Sequence, residues 1–235
     1  MPSRLRFRPR LWPTLITLPA VVAMLGFSVW QMERRAWKHE LIALRTARIA
    51  APVVALPANP DLKGFEYRRV SLRGRFLHGK ELYLGARTRR SNLGYHVFTP
   101  FAGNDGTVVL VNRGWIALAR KEPNRRRRGQ VAGEIELVGH LRTGGRKGWF
   151  TPDNVPEQNF WFYVDVPAMA AHVGIRKPRP FYLQAAGKPP PGGWPRPVPI
   201  WVNMPDNHLQ YAITWLALAI GLLVIYFLYH KRRPA

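Results

Sequence analysis

The sequence predicts a membrane protein in which two transmembrane helices flank an antiparallel β-rich, barrel- or sandwich-like extracytoplasmic domain carrying one short helix. Three observations carry that expectation. The runs Leu11–Trp30 and Tyr211–Tyr229 contain no charged residue, and each approaches the roughly 20 apolar residues that a spanning helix needs. Both ends are short and basic, with Arg4, Arg6, Arg8 and Arg10 before the first run and Lys231, Arg232 and Arg233 after the second. The stretch between them changes to the period-2 alternation of half-exposed strands.

The elements follow in order. Residues 1–10 form a basic tail and 11–30 the first span. Pro13 and Pro19 fall inside it, which a spanning helix tolerates when neighbouring groups satisfy the freed carbonyls. A secretory leader is the other reading, but the run is long for a leader's apolar core and has no clean small-x-small cleavage pattern. Residues 31–51 mix charges with Trp37, Leu41, Ile42 and Leu44. They extend the helix out of the membrane until Pro52 stops it.

Residues 52–188 are the β-rich domain. In "YRRVSLRGRF", Val70, Leu72, Gly74 and Phe76 alternate with Arg69, Ser71, Arg73 and Arg75. "ELYLGAR" is a second strand. "GYHVFTPF" and "TVVLVNRGWI" flank Gly103-Asn104-Asp105-Gly106 and read as a hairpin. "EIELVGHLR", "NFWFYVD" and "PFYLQAA" complete the strands. Asp165 is placed to cap a short helix, Val166–His172, closed by Gly174. Residues 189–205 are a proline-rich spacer. The second span is 206–229, with Asp206 as its cap, and 230–235 is a basic tail. Short basic ends face the cytoplasm, which puts the domain on the far side.

Composition excludes several chemistries. The 235 residues include no cysteine, which removes disulfides, thiolate metal sites and cysteine nucleophiles. The formal charge of +23 suits nucleic acid or an anionic membrane. The predicted topology leaves membrane lipid, or an acidic face of another membrane protein, as the partner rather than nucleic acid. Ser3, Ser28, Ser71 and Ser91 lie in no nucleophile elbow. His39, His78, His96, His140, His172, His208 and His230 show no metal-ligand spacing, and His78, His96, His140 and His172 read as surface residues. Catalytic residues are expected to be absent, and the protein is not expected to be an enzyme. Arg125–Arg128 reads as a solvated loop, with a docking or anionic-lipid patch as the other reading.

Four stretches in register, "LGFSVWQMERRAWKHELI", "YRRVSLRGRF", "VLVNRGWI" and "DNHLQYAITW", together resemble the surfeit locus protein 1 family over nearly the whole chain. The resemblance implies a membrane chaperone of respiratory-chain biogenesis that assembles haem–copper oxidases such as cytochrome c oxidase. It implies haem a as the cofactor handled, with delivery to the oxidase's catalytic subunit. It further implies oxidase subunit 1 and haem a synthase as partners and the cell inner membrane as location, with both termini cytoplasmic and the domain periplasmic. A scaffold that never touches haem and a membrane-tethered envelope enzyme are the alternatives. One departure stands out: the family often has an Asn-Asn pair before the histidine, and here it is Asp206-Asn207.

At 3.6 residues per turn, His208, Ala212, Trp215 and Ala219 share one stripe of the second span. Two readings are open. The alanines could form a bay for a flat macrocycle, with His208 as axial ligand to haem iron and Trp215 against the ring. Alternatively, His208 and Trp215 are interfacial belt residues and the alanines pack against another helix. Gly26 and Trp30 are expected to pack the two spans together. Arg113-Gly114-Trp115 is read as a bulge plus a core plug, or else as a partner contact.

Overall fold

The computed structural model describes residues 6–7, 9–145, 147–202 and 204–232. Arg4, Arg8 and Arg233 of the basic tails lie outside the described residues. The chain divides into two compact units, Met1–Leu44 with Val202–Ala235, and Arg45–Trp201.

In order, the elements are β1 (Arg6–Phe7), α1 (Leu11–Ala50), β2 (Val54–Ala55), α2 (Leu62–Phe65), β3 (Arg69–Phe76), β4 (Leu82–Arg89), β5 (Asn92–Gly103) and β6 (Val108–Ala117). They continue with β7 (Ile135–Thr143), β8 (Phe160–Trp161), α3 (Val166–His172), β9 (Phe181–Ala185), α4 (His208–His230) and β10 (Lys231–Arg232). Of these, α1 and α4 are long and apolar enough to cross a membrane, by length and composition.

The first unit is an antiparallel helix pair. Its seam runs from Arg10, whose Nη1 donates to the Tyr229 hydroxyl at 2.8 Å, through Thr14 beside Tyr226 at 2.8 Å. It continues past buried Val21 and Ala219. At the far end, the Ser28 hydroxyl donates to the Ala212 carbonyl at 2.9 Å. The outside stays apolar and exposed, as at Ile16, Val22, Ile220 and Leu228. The expected packing of Gly26 and Trp30 does not occur. Trp30 is 52% exposed, and a Cβ on Gly26 would meet nothing within 4 Å. The register puts Val21, Phe27, Ser28 and Gln31 on the seam instead. The second helix also starts two residues later than expected, at His208, and runs through His230.

The second unit is an eight-stranded sheet ordered β2-β3-β7-β9-β6-β5-β4-β8. An additional β3–β5 pairing links β3, β7, β9, β6 and β5 into a ring. Closure brings Gly74 opposite Gly103; a Cβ on Gly74 would sit 2.0 Å from the Ala102 carbonyl oxygen, so the approach requires glycine. The sheet is mixed rather than antiparallel throughout, because β2–β3, β4–β8 and β6–β9 are parallel. The "NFWFYVD" stretch pairs only over Phe160–Trp161. Beyond that point the Asn154 side chain takes the backbone N–H groups of Phe162 and Tyr163 and ends the ladder. α2 is a second short helix beside α3, capped by Asp61, whose carboxylate accepts from the Lys63 and Gly64 amides.

Both faces of the central strands are buried, which explains why "TVVLV" and "FYL" read as unbroken apolar runs. Val109, Val111, Phe181 and Leu183 join Val70, Phe101, Leu137 and Leu141 in one cluster. Their neighbours Leu110 and Tyr182 point to the opposite face, with Leu82, Leu84, Phe98, Trp161 and Met169 of α3. α3 starts as expected, with Asp165 Oδ1 accepting from the Ala168 amide at 3.1 Å.

Candidate functional site

At the head of α4 the cap is made one residue earlier than the helix boundary. Asn207 occupies the cap position without a side-chain bond. Asp206 Oδ1 instead accepts from the His208 amide at 3.1 Å. Asp206 Oδ2 lies 2.7 Å from His39 Nε2 and 3.6 Å from Arg35 Nε, and Lys38 Nζ donates to the Pro205 carbonyl. Asp206 thus brings its negative charge to two basic groups of α1.

His208 is held from the same side. Its Nδ1 donates to Gln31 Oε1 at 2.6 Å. An amide oxygen can only accept, so Nδ1 carries the proton in this geometry. In the neutral ring Nε2 is then the lone-pair nitrogen, and among the described residues it takes no hydrogen bond. The four residues singled out from the sequence do share one stripe, but α1 covers it. Ala212 and Ala219 are 3% and 1% exposed, and Trp215 stacks on Phe27 at 5.0 Å between centroids. Of the two readings of the alanines, the helix seam is the one found, because small residues let two backbones approach. The α1 contributors Gln31, Arg35, Lys38 and His39 were missed. Their signal was present as a polar stripe at i, i+4, i+7 and i+8 on the helical extension.

In the other unit, Arg113, Gly114 and Trp115 lie within β6 at a break in its register. Gly114 has φ +129° at a register shift, and a Cβ there would lie 2.2 Å from the Arg196 carbonyl oxygen. Trp115 is buried, and its indole Nε1 donates to the Arg87 carbonyl at 2.8 Å.

Arg113 is also buried. Its Nη1 donates to Glu81 Oε1 at 3.1 Å, and its Nη2 donates to the Gly129 carbonyl. Arg126 reaches the same carboxylate with both terminal nitrogens, through Oε1 at 2.9 Å and through Oε2. The run Arg125–Arg128 is thus not uniformly solvated. Arg126 is 5% exposed because Glu81 demands a second cation in the interior. Burial and the adjacent Glu81 charge push the Tyr83 hydroxyl up to about 12. Burial, only partly offset by Glu81, brings Arg113 down to about 10.

A row of polar side chains crosses the opposite face of the sheet. His140 pairs with Gln184 and Gln184 with Asn112 in the strand register. Asn112 Nδ2 donates to Gln184 Oε1 at 3.2 Å and to His96 Nδ1 at 3.3 Å. Gln184 Nε2 donates to the Val198 carbonyl at 2.8 Å, which holds the proline-rich segment over the row. His96 is therefore not the surface residue expected. Burial first, then the Arg87 charge, pushes its imidazole down to about 4 from 6.5. The unfolded chain binds this proton near pH 6.5 and the folded chain only near 4. Stability is therefore full above about pH 6.5 and falls as pH drops towards 4, by ~2–3 kcal/mol from this group. Burial also lowers His78 and His140, with the same sign. His96→Gln should flatten the acid limb of thermal stability between pH 7 and 4.5. An unaltered slope would refute the assignment.

Comparison with known proteins gives a consistent result. The SURF1 family model matches residues 18–220. Surfeit locus protein 1 of Mus musculus is 37% identical over 235 residues, covering 93% of this chain and 75% of that protein. The Homo sapiens protein of the same name is 37% identical, with 91% and 75% covered. A SURF1-like protein of Monosiga brevicollis is 38% identical, with 94% and 88% covered.

Proposed function

The chain belongs to the SURF1 family, and from that premise we propose that it is a non-catalytic, membrane-anchored assembly factor for cytochrome c oxidase that binds haem a through His208 and assists its insertion into subunit 1. α1 and α4 anchor it in the cell inner membrane, with both termini cytoplasmic and the sheet unit periplasmic. Haem a synthase would supply the haem, and the surrounding partners are membrane lipids rather than nucleic acid.

One observation supports the haem reading most directly. Gln31 holds Nδ1 of His208, which orients the ring and leaves Nε2 as the lone-pair nitrogen. Histidine ligands to metals are ordinarily fixed in this way, by donating the other ring N–H to an oxygen. The residues fit haem iron in that respect. The Ala212–Ala219 stripe does not fit a porphyrin face, since α1 fills it. His208 would thus hold the iron, Asp206, Arg35 and His39 would fix the helix end that carries it, and Trp215 would brace the seam. When bound, the group would bring iron that accepts an imidazole nitrogen. The buried alanines also favour a second reading, a scaffold that holds oxidase subunits without haem.

The two readings part on one experiment. The full chain is purified from cells making haem a, and its absorbance is compared with His208→Ala and Gln31→Leu. His208→Ala should abolish the Soret band or shift it strongly, while still inserting in the membrane. Gln31→Leu should weaken retention. An unchanged spectrum in His208→Ala, or no band in the unmodified chain, would leave the scaffold reading.

A further inference from the structure

We propose that the sheet unit contains a separate binding site for an amphipathic carboxylate, in the cavity beneath the strap Pro197–Ile200. The cavity has a volume of about 730 Å³. Most of its wall is apolar, formed by Ile49, Ala185, Ala186 and the strap prolines. Its charged groups are Arg89 and Arg196, His140 adds an imidazole, and no Asp or Glu lies among the described lining residues. A cavity of this size with apolar walls and a few convergent polar groups has the character of a ligand site.

Two of these groups each keep one unpaired nitrogen. Arg89 Nη1 and His140 Nε2 have no hydrogen-bond partner among the described residues, and both side chains line the cavity, so a modest side-chain rotation turns each towards a ligand oxygen. A buried donor left unpaired costs free energy that a ligand oxygen would recover. Across the strap lies a second cavity of about 400 Å³, lined by Arg87, His96 and Arg142 and likewise without a described acid. The whole neighbourhood is cationic, which raises the affinity for an anion.

The strap is anchored rather than loose. Arg196 exchanges backbone hydrogen bonds with Trp115, at 2.7 and 2.8 Å, and its guanidinium stacks on Trp194 at 4.5 Å. Gln184 Nε2 holds Val198 from below. The ligand therefore meets a standing roof. Its carboxylate lies against the Arg89 guanidinium, whose planar donors match two oxygens. His140, protonated with the ligand in place, takes the second oxygen. The apolar body lies along the prolines and Ile49. This site is independent of His208 and does not rest on the haem reading.

The test uses the full chain in phosphatidylcholine nanodiscs, titrated with carboxyl-labelled [13C]octanoate and followed by the carboxyl resonance. Empty nanodiscs give the bilayer baseline. Octanoate should bind saturably above that baseline. Arg89→Gln and His140→Gln should each weaken it by at least about tenfold, with an unchanged thermal midpoint, while Arg127→Gln on the exposed loop and His208→Ala should have no effect. On the unmodified chain, octyl phosphate and 1-octanol should each compete at least about tenfold less strongly than octanoate itself. Competition by octanol equal to octanoate would overturn the charged site. Stronger competition by octyl phosphate would overturn the carboxylate, and a titration matching empty discs would overturn the site altogether. If either variant lowers the thermal midpoint, the two competitions on the unmodified chain decide the matter.

Discussion

Glu81→Ala should destabilise the sheet unit by about 3–5 kcal/mol, one of the two largest effects expected in this protein. Glu81 is the only carboxylate within hydrogen-bonding reach of the Arg113 and Arg126 side chains among the described residues, and the side chains of all three are nearly shut off from water, at 3–4% for Glu81 and Arg113 and 1% for Arg126. Removing it leaves two guanidiniums buried with no counter-charge. Breaking a buried ion pair from one side costs far more than the pair itself contributes, because the surviving charge cannot be resolvated. The neighbours offer little relief. His78 Nδ1 is an acceptor for Arg113 only in its neutral form, at 3.3 Å, and burial keeps it neutral. Tyr83 supplies a hydroxyl at 3.3 Å from Arg126. In a unit of this size the thermal midpoint should fall by roughly 6–20 °C. Glu81→Gln should lose less, since the amide retains one acceptor. Adding Arg126→Met to Glu81→Ala should recover part of the loss, because one unpaired charge is removed. A loss below about 1 kcal/mol in Glu81→Ala would mean that water reaches the cluster and that Arg126 is no more than a surface arginine.

Trp115→Ala should cost ~3–5 kcal/mol. The indole is 4% exposed, stacks on Trp194 at 5.8 Å between centroids, and lies against Gly94, where a Cβ would come within 2.7 Å of its Nε1. Truncation opens a cavity between β5 and the strap and frees the Arg87 carbonyl from its donor. Trp115→Phe should fall between, since it refills most of the volume but cannot donate. Both variants are measured by thermal unfolding of the full chain in a non-ionic detergent. A midpoint lowered by less than about 2 °C together with failed oxidase assembly would recast Trp115 as a surface that touches a partner.

The two long apolar helices, the β-rich unit and the hairpin at Gly103–Gly106 were legible because they rest on local signals. Hydrophobic length, period-2 alternation and turn chemistry act over a few residues, and each is written contiguously. Asp165 capping α3 belongs to the same class. The stripe of His208, Ala212, Trp215 and Ala219 was legible as a stripe for the same reason, since helical spacing alone sets it. What faces that stripe was not. Whether the alanines form a bay or a seam depends on α1, some 180 residues away in sequence, and on the register that puts Gln31 against His208. The same limit explains Arg126. A run of four arginines carries no local mark to show which one turns inward. That choice is made by Glu81, 45 residues earlier. His96 looked like a surface histidine because nothing beside it in sequence marks burial; Asn112 of β6 and Arg87 of β4, brought alongside by the sheet, set its surroundings. Periodicity along the chain thus determined which elements form. The tertiary structure decided which of their polar groups are buried, because burial and charge pairing depend on what packs opposite, and that information lies elsewhere in the chain.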